Sequence, residues 1–214
     1  MLWGIEKMNK LVVFDFDSTL MDGETIEFFA RELGIEEKIK TITDKAMRGE
    51  KDFFESLTER VALLKGLSVD KVNEICYNLP LMNGAETLIK HLKVNGYKVV
   101  CFSGGFRNAT EYFGKKLGLD CEFANILHSK DGILTGQVGG EMMFNDSKGK
   151  MLVRLQKLLG VSEENTIAVG DGANDISMFK YASKKVAFCA KPILKEAANI
   201  VIEEKDLTRI IDFV

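Results

Sequence analysis

Histidine is rare in this sequence, and long apolar runs are absent. The two histidines, His91 and His128, stand near no G-x-S-x-G nucleophile pattern, and Ser103 does not lie in one either. The composition therefore argues against a Ser-His-Asp hydrolase. The longest apolar runs are far shorter than the roughly 18 residues that a membrane-spanning helix requires, and residues 1–7 lack the apolar segment of a signal peptide. We therefore expect a cytoplasmic protein with no membrane partner.

Cysteine and net charge are low as well. The four cysteines show no C-x-x-C spacing, and Cys101 and Cys189 lie within apolar, strand-like runs. This pattern favours buried free thiols over disulfides or a zinc site. The net charge is −3, with acids and bases interleaved, so there is no basic stripe of the kind that nucleic-acid binding needs. We expect a small-molecule partner and no nucleic acid; a monomer and a homodimer are both compatible with the sequence.

The remaining composition suits a sizeable core, because 46% of the 214 residues are hydrophobic. After residue 84, apolar strand-like runs alternate with helical stretches, which predicts a parallel α/β sheet. Residues 22–83 are instead mostly helical, and we interpret them as a cap inserted into a core of residues 9–21 and 84–214. Cap helices are predicted at 24–33, 36–48, 52–65 and 69–79.

Two acids follow the first apolar run. Leu11 to Phe14 predict a strand buried on both faces, and Asp15 and Asp17 come directly after it. Open α/β sheets place their ligands at this end of a strand. From these residues alone, two surface aspartates in a turn remain the alternative reading.

Three further polar groups recur at corresponding places. Ser103-Gly104-Gly105 follows the apolar run 99–102, which predicts a strand end and a loop. Gly170-Asp171-Gly172-Ala173-Asn174-Asp175 follows the apolar run 166–169, and Lys148 opens a helical stretch between them. Each group alone is more often a turn or a solvated lysine. Residues 123–141, around Lys130-Asp131-Gly132, predict a β-hairpin beside these strand ends.

The third cap helix carries an arginine on its apolar stripe. Phe53, Leu57 and Leu64 recur at helical spacing, and Arg60 lies on the same face. Its head either reaches water along the stripe or is held over a cleft to meet an anion. Phe53 and Leu57, with Met47 of the preceding helix, are predicted to line a largely dry lid.

Together and in this order, the motifs resemble those of the haloacid dehalogenase superfamily of phosphohydrolases, and residues 15–20 fit its D-x-D-x-T nucleophile motif. Within it, the chain most resembles the phosphoserine phosphatase family, from about Lys10 to the C-terminus. The resemblance implies a Rossmann-like three-layer core with a parallel sheet, a small helical cap and a β-hairpin near the site. It implies hydrolysis of O-phospho-L-serine, the last step of serine biosynthesis, through an aspartyl-phosphate intermediate.

The resemblance also implies roles for individual residues. Asp15 would be the nucleophile, and Asp17 the general acid and base. Mg²⁺ would be held by the Asp15 carboxylate, the Asp17 main-chain carbonyl and the Asp171 carboxylate. Ser103 and Gly104 would donate to phosphate oxygens, and Lys148 would hold the attacking carboxylate and the phosphate together. Asn174 would contact the phosphate or the polar end of the substrate, and Asp175 would orient Lys148 or metal-bound water.

In the resembled family, the acid matching Glu24 and the base matching Arg60 read the amino and carboxyl groups of serine. Taken alone, Glu24 could simply complement a helix dipole. A related phosphatase or phosphotransferase acting on another small phosphomonoester is the main alternative. A phospho-acceptor signalling domain is a further one, but it would have an isolated acceptor Asp and no cap.

Overall fold

The computed structural model describes residues 9–47 and 50–214, and its centre is a seven-stranded sheet. The strands are β1 (Lys10–Phe14), β2 (Tyr97–Phe106), β3 (Cys121–Lys130), β4 (Ile133–Gly140), β5 (Thr166–Gly170), β6 (Lys184–Phe188) and β7 (Ile200–Ile202). Their order across the sheet is β4-β3-β2-β1-β5-β6-β7, and only β3 and β4 pair antiparallel. The predicted parallel α/β sheet is confirmed, and β3 and β4 form the predicted hairpin.

Helices surround this sheet. They are α1 (Thr25–Leu33), α2 (Glu36–Met47), α3 (Phe53–Ala62), α4 (Val69–Tyr77), α5 (Ala85–Val94), α6 (Arg107–Leu117), α7 (Ser147–Leu159), α8 (Ile176–Phe179) and α9 (Pro192–Ala197), with 3₁₀ turns at Glu163–Asn165, Ala173–Asp175 and Leu207–Phe213. Alternate side chains of β1 enter different apolar clusters, Val12 and Phe14 one, Leu11 and Val13 the other. A core on each face of the sheet is the predicted three-layer arrangement.

The four helices α1 to α4 follow β1, where the cap was predicted. The Asp52 carboxylate caps α3 by accepting from the Phe54 amide at 2.8 Å. This helix was predicted to run to Lys65 but ends at Ala62, because the chain then turns towards the hairpin and the Gly66 amide donates to the Leu134 carbonyl at 3.0 Å. Helix α4 likewise ends two residues before the predicted Leu79.

Some predictions fall outside the described part of the chain. Residues 1–9 show no periodicity, which predicts a loose lead-in to the first strand, but all of them except residue 9 lie outside the described residues. So do the end of the second cap helix at residues 48–49 and the place of the Met47 side chain in the lid.

The chain enters and leaves the cap side by side. Met21 and Leu81 form an antiparallel bridge, and the Met82 amide donates to the Leu20 carbonyl at 2.9 Å. The two chain segments that connect the core to the cap are thus paired with each other, and they lie at the predicted borders of residues 22–83. The division into core and cap at those borders stays a prediction.

Strand β2 is longer than predicted. The segment Ser103-Gly104-Gly105 was expected in a loop after the strand, but it lies within β2, which continues to Phe106. The pairing with β3 is irregular here, since Phe102 pairs with Phe123 and Phe106 with Asn125. The extra residues on β2 are accommodated as a bulge, and the Asn125 side-chain amide donates to the Gly104 carbonyl at 3.0 Å.

The four cysteines all lie in the described part of the chain and are free thiols. Cys76 and Cys101 are buried as predicted, whereas Cys121 and Cys189 are only partly buried. Cys189 follows the last residue of β6 instead of lying inside a strand. In residues 9–47 and 50–214, no helix has the length and apolar character needed to cross a membrane.

Candidate active site

A cavity of about 740 Å³ lies between the carboxyl ends of the central strands and the cap. Because β1, β2 and β5 are adjacent and parallel, the polar residues that follow them meet at one edge of the sheet. The core contributes Asp15, Asp17, Gly104, Asp171 and Asn174 to the cavity wall, and the cap contributes Glu24, Phe53, Leu57 and Arg60.

A wide turn after β1 positions the two acids of the first motif. The Met21 amide donates to the Phe16 carbonyl at 2.9 Å and closes the turn. Within it, Ser18 has a φ of 56°, in the left-handed region that non-glycine residues rarely adopt. The Ser18 hydroxyl donates to Glu24 Oε1 at 2.8 Å, so the turn also fixes an acid at the start of the cap.

Lys148 binds two buried carboxylates. Its Nζ lies 2.8 Å from Oδ2 of Asp15 and 2.6 Å from Oδ1 of Asp175. Burial alone would lower the pKa of Lys148, but the charges of Asp15 and Asp175 outweigh it and hold the pKa above its usual range. The ammonium therefore stays charged, and its place beside Asp15 is compatible with the role implied for this lysine, which stays a prediction.

Asp15 is buried at the first position after β1. Its Oδ1 accepts from the Phe16 amide at 2.7 Å, and its Oδ2 faces Lys148 and the Asn174 amide, the latter at 3.4 Å. Burial raises the pKa of Asp15 to about 7, with Asp175 adding to the rise and Lys148 opposing it. A further positive charge at this site would favour the ionised carboxylate that a nucleophile requires.

The two carboxylate oxygens of Asp17 have different partners. Its Oδ1 accepts from the amide and the hydroxyl of Thr25, at 2.7 Å and 2.5 Å. Its Oδ2 lies 3.5 Å from the hydroxyl of Ser103. Burial raises the pKa of Asp17, while the bonds from Thr25 oppose the rise. A carboxyl group that can hold a proton at Oδ2 fits the predicted general acid.

The bulge in β2 makes room for that carboxyl group. A Cβ atom on Gly105 would collide with Oδ2 of Asp17, so only glycine fits here. The Gly105 amide donates to the Ser103 hydroxyl at 2.9 Å, and Ser103 is fully buried. Gly104 lines the cavity directly, and a Cβ atom on it would lie 3.0 Å from the Phe53 ring.

Three buried carboxylates fit a hard metal ion. Asp15, Asp171 and Asp175 each offer an oxygen, and these atoms lie within 4.8 Å of one another. Burial raises the pKa of Asp171 well above its usual range, and the negative charges of Asp15 and Asp175 add to the rise. An all-oxygen donor set with excess negative charge suits a divalent cation such as Mg²⁺ or Ca²⁺.

Asp175 differs from the other two carboxylates. Its Oδ1 accepts from Lys148, and its Oδ2 accepts from the amides of Asp171 and Gly172 at 3.0 Å and 3.1 Å. A Cβ atom on Gly170 would collide with this carboxylate. Asp175 therefore holds both Lys148 and the turn that carries Asp171, which fits its predicted orienting role.

The cap presents one acid and one base to the cavity. Burial raises the pKa of Glu24 to about 8, and the charge of Asp17 adds to the rise. Burial lowers the pKa of Arg60, and Glu24 opposes this, but a guanidinium remains charged at neutral pH. Arg60 Nε donates to the Ser56 carbonyl at 3.3 Å, so the side chain lies along its own helix with its head over the cavity instead of reaching bulk water.

The structure thus brings the predicted site residues together around one cavity, with Ser103, Lys148 and Asp175 packed behind its wall. Sequence reasoning missed Thr25, although a threonine at the first turn of a helix offers an amide without a helical partner. It also gave Gly105 no role, because the collision with Asp17 depends on the bulge. The individual roles of the site residues stay predictions.

Comparison with known proteins agrees with this geometry. A model of the haloacid dehalogenase-like hydrolase family, described as a hydrolase, matches residues 9–183. The chain belongs to the haloacid dehalogenase-like hydrolases. The predicted resemblance to this superfamily is confirmed, and so is the fold that it implied.

Among haloacid dehalogenase-like hydrolases, phosphoserine phosphatases are highly similar to this chain. That of Wolinella succinogenes is 62% identical over 202 residues, which are 94% of this chain and 98% of that protein. Two solved structures are each 52% identical with a TM-score of 0.93. One is a phospho-aspartyl intermediate analogue of phosphoserine phosphatase, covering 97% of this chain and 100% of that one. The other is a substrate-bound phosphoserine phosphatase complex, covering 98% and 100%.

Proposed function

We propose that the chain hydrolyses O-phospho-L-serine to L-serine and phosphate through an aspartyl phosphate on Asp15, with Mg²⁺ as the metal. High identity to phosphoserine phosphatases over nearly the whole chain supports this reaction. The expected place in serine biosynthesis follows from the reaction. The cytoplasmic location stays a prediction.

One observation carries the choice of substrate: Glu24 and Arg60 line the same cavity as Asp15. Phosphoserine has an ammonium and a carboxylate beside its phosphate ester. Glu24 offers a carboxylate to the first, and Arg60 offers a planar fork of donors to the second. Phe53 and Leu57 make the surrounding wall apolar, which strengthens both charge pairs.

In the first half of the reaction, Asp15 attacks phosphorus and the ester bond to the serine oxygen breaks. Lys148 holds the attacking carboxylate in place from its position between Asp15 and Asp175. The leaving oxygen takes the proton that Asp17 carries on Oδ2, the oxygen that Thr25 leaves free. Serine is thereby released as a neutral alcohol, and the phosphoryl group remains on Asp15.

In the second half, water attacks the aspartyl phosphate. Asp17 is now ionised, and Oδ2 accepts the proton from that water as the bond between phosphorus and Asp15 breaks. This returns both acids to their starting states. The Gly104 amide and the Asn174 side chain lie at the cavity wall, where they can donate to phosphate oxygens throughout.

Mg²⁺ would be held by Asp15, the main-chain carbonyl of Asp17 and Asp171, and it would neutralise charge on the phosphate oxygens. The buried acids fit this ion, because their carboxylates outnumber the single ammonium of Lys148. Binding a cation here would lower the raised pKa values of Asp15 and Asp171 and ionise both groups.

The proposal is tested by comparing O-phospho-L-serine with two matched esters, O-phosphoethanolamine and 3-phosphoglycerate. Released phosphate is measured for each in the presence of Mg²⁺. O-Phosphoethanolamine lacks the carboxylate of phosphoserine, and 3-phosphoglycerate has a hydroxyl in place of its ammonium. Losing one partner of a buried charge pair costs on the order of 2–5 kcal/mol, so kcat/KM should fall roughly 30- to several-thousand-fold for each. Equal kcat/KM for all three would refute the assignment of serine. Transfer of phosphate to an added alcohol without its release would indicate a phosphotransferase instead.

A further inference from the structure

Helix α3, which carries Arg60, is attached to the core differently at its two ends. Its C-terminal end is tied to the hairpin by main-chain hydrogen bonds, among them the Leu134 amide donating to the Leu67 carbonyl at 2.8 Å. The hairpin also packs closely there, since a Cβ atom on Gly136 would lie 3.1 Å from the Ala62 carbonyl. This end of the helix is therefore firmly placed.

The N-terminal end of α3 meets the core through two phenylalanines. The Phe53 ring lies over Gly104 inside the cavity. The Phe54 ring stacks on Phe144, with ring centroids 5.3 Å apart and the planes 11° from parallel. Phe54 is 38% exposed and Phe144 57% exposed, and neither lines the cavity. Phe53, next to Phe54 in the chain, and Asn145, next to Phe144, both line the cavity. The stacked pair therefore lies at the rim of the cavity.

Phe144 belongs to a fixed part of the core. Its amide donates to the Ser147 hydroxyl at 3.1 Å, and the Ser147 amide donates to its carbonyl at 3.0 Å. Ser147 is the first residue of α7, and Lys148 is the second. The stack thus connects the helix that carries Arg60 to the segment that leads into the helix of Lys148.

We propose that Phe54 and Phe144 form a clamp that holds the N-terminal end of α3 against the core and so positions Arg60 over the reacting groups. The inference rests on the proposed function of the site. Both rings retain much of their exposure, so their burial contributes little to the core. Their stacking instead fixes a distance between cap and core, which an apolar side chain of another shape would not reproduce.

A second aromatic pair provides a matched control. Tyr77 of α4 and Tyr112 of α6 also join cap to core, with ring centroids 4.5 Å apart. Neither tyrosine lines the cavity, and neither do its chain neighbours. Truncating this pair removes a comparable cap contact without touching the end of α3.

The test compares KM for O-phospho-L-serine in Phe54→Ala, Phe144→Ala and the double variant. Each single change should raise KM about 3- to 10-fold with little change in kcat, from the energy of one aromatic pair. The double variant should match the singles, since all three lose the same contact. Phe144→Tyr, which keeps the stacked ring, should have the KM of the wild-type enzyme. Tyr77→Ala should leave KM within about 2-fold of that value. Single effects that multiply, or an equal effect of Tyr77→Ala, would overturn the clamp.

Two further readouts separate the clamp from a general loss of structure and from the choice of substrate. KM for O-phosphoethanolamine, which offers Arg60 no carboxylate, should not respond to Phe54→Ala; an equal rise would overturn the positioning of Arg60. Hydrogen exchange at the Ser56 and Leu57 amides should accelerate in Phe144→Ala and not in Tyr112→Ala. If the wild-type chain does not hydrolyse phosphoserine, the proposed function fails, and exchange alone decides whether the clamp exists. Unchanged exchange in Phe144→Ala would refute it.

Discussion

The Nζ atom of Lys148 lies 2.8 Å from Oδ2 of Asp15, and the two side chains are only 3% and 5% exposed. The same ammonium lies 2.6 Å from Asp175, whose side chain is fully buried. Two carboxylates thus share one cation in a place that water barely reaches. Removing the ammonium from such a group leaves two buried carboxylates without their cation, which is strongly destabilising, whereas neutralising one carboxylate leaves the other paired with Lys148. We therefore expect Lys148 to matter for both the stability and the chemistry of the site.

Lys148→Met should lower kcat by at least about 100-fold, because it removes the charge that orients Asp15 and opposes its protonation. It should also lower the free energy of unfolding by roughly 3–5 kcal/mol, since Asp15 and Asp175 lose their partner. Lys150→Met is the control on the same helix, where Lys150 forms an exposed ion pair with Asp146. That change should leave turnover unaltered and stability within about 1 kcal/mol. Comparable losses in both variants would show that Lys148 has no special role.

Asp171 should determine how much Mg²⁺ the enzyme needs for activity. Chelator should silence the enzyme, and added Mg²⁺ should restore it. Asp171→Asn removes one charged oxygen ligand, so the Mg²⁺ concentration for half-maximal activity should rise roughly 100-fold or activity should vanish. Asp22→Asn, at a surface acid paired with Lys205, should leave that concentration unchanged. Full activity in excess chelator would argue against a metal-assisted site.

Arg60→Ala should discriminate between substrates. It should lower kcat/KM for O-phospho-L-serine by roughly 30- to several-thousand-fold, since the substrate carboxylate loses its partner. For p-nitrophenyl phosphate, which has no carboxylate, the same change should cost little. Arg31→Ala is the control, because Arg31 lies on the cap over the Phe28 ring and does not line the cavity. If Arg60→Ala slows both substrates equally, Arg60 acts on the phosphate or on the fold.

Much of this site could be predicted because its motifs follow strands. Asp15 and Asp171 end neighbouring parallel strands, and that placement depends only on the apolar runs before them. Thr25 could not be found this way, because its bonds to Asp17 depend on how the chain enters the cap. Gly105 was missed for a similar reason, since the bulge that brings it against Asp17 follows from pairing between β2 and β3. The local sequence pattern predicts where strands and helices lie. The contacts of Thr25 and Gly105 with Asp17 depend instead on the tertiary structure.

The end of α3 is a second feature that the local sequence pattern could not predict. Helical spacing continues past Ala62 to Leu64, so the sequence predicts a longer helix than the structure has. The hairpin overrides this preference, because its main-chain groups near Leu134 bind the residues after α3. Such competition between a local pattern and a distant partner is not visible in either segment alone.

Glu24 should make stability depend on pH in the metal-free protein. Burial and the charge of Asp17 raise the pKa of Glu24 from its ordinary value of 4.5 to about 8 in the folded state. The folded state therefore binds the proton more tightly, and the contribution to stability is present at low pH and lost as pH rises towards and through 8. In chelator, the Tm of the wild-type chain relative to Glu24→Gln should fall between pH 6 and pH 9. A difference in Tm that stays constant over this range would show that Glu24 is not protonated in the fold.

The covalent step at Asp15 is the central claim. Asp15→Asn replaces the attacking oxygen with a near-isosteric amide, so it should leave the fold intact and lower turnover by more than about 1,000-fold. No labelled enzyme should form in this variant, which makes it the control for direct detection of the intermediate.

The most direct test is rapid quenching of the wild-type enzyme with O-[³²P]phospho-L-serine and Mg²⁺, followed by mapping of the labelled peptide. The account predicts a transient acyl phosphate, cleaved by hydroxylamine, on the peptide that contains Asp15. Phosphate release at full rate with no label on Asp15, or with label on another residue, would contradict it.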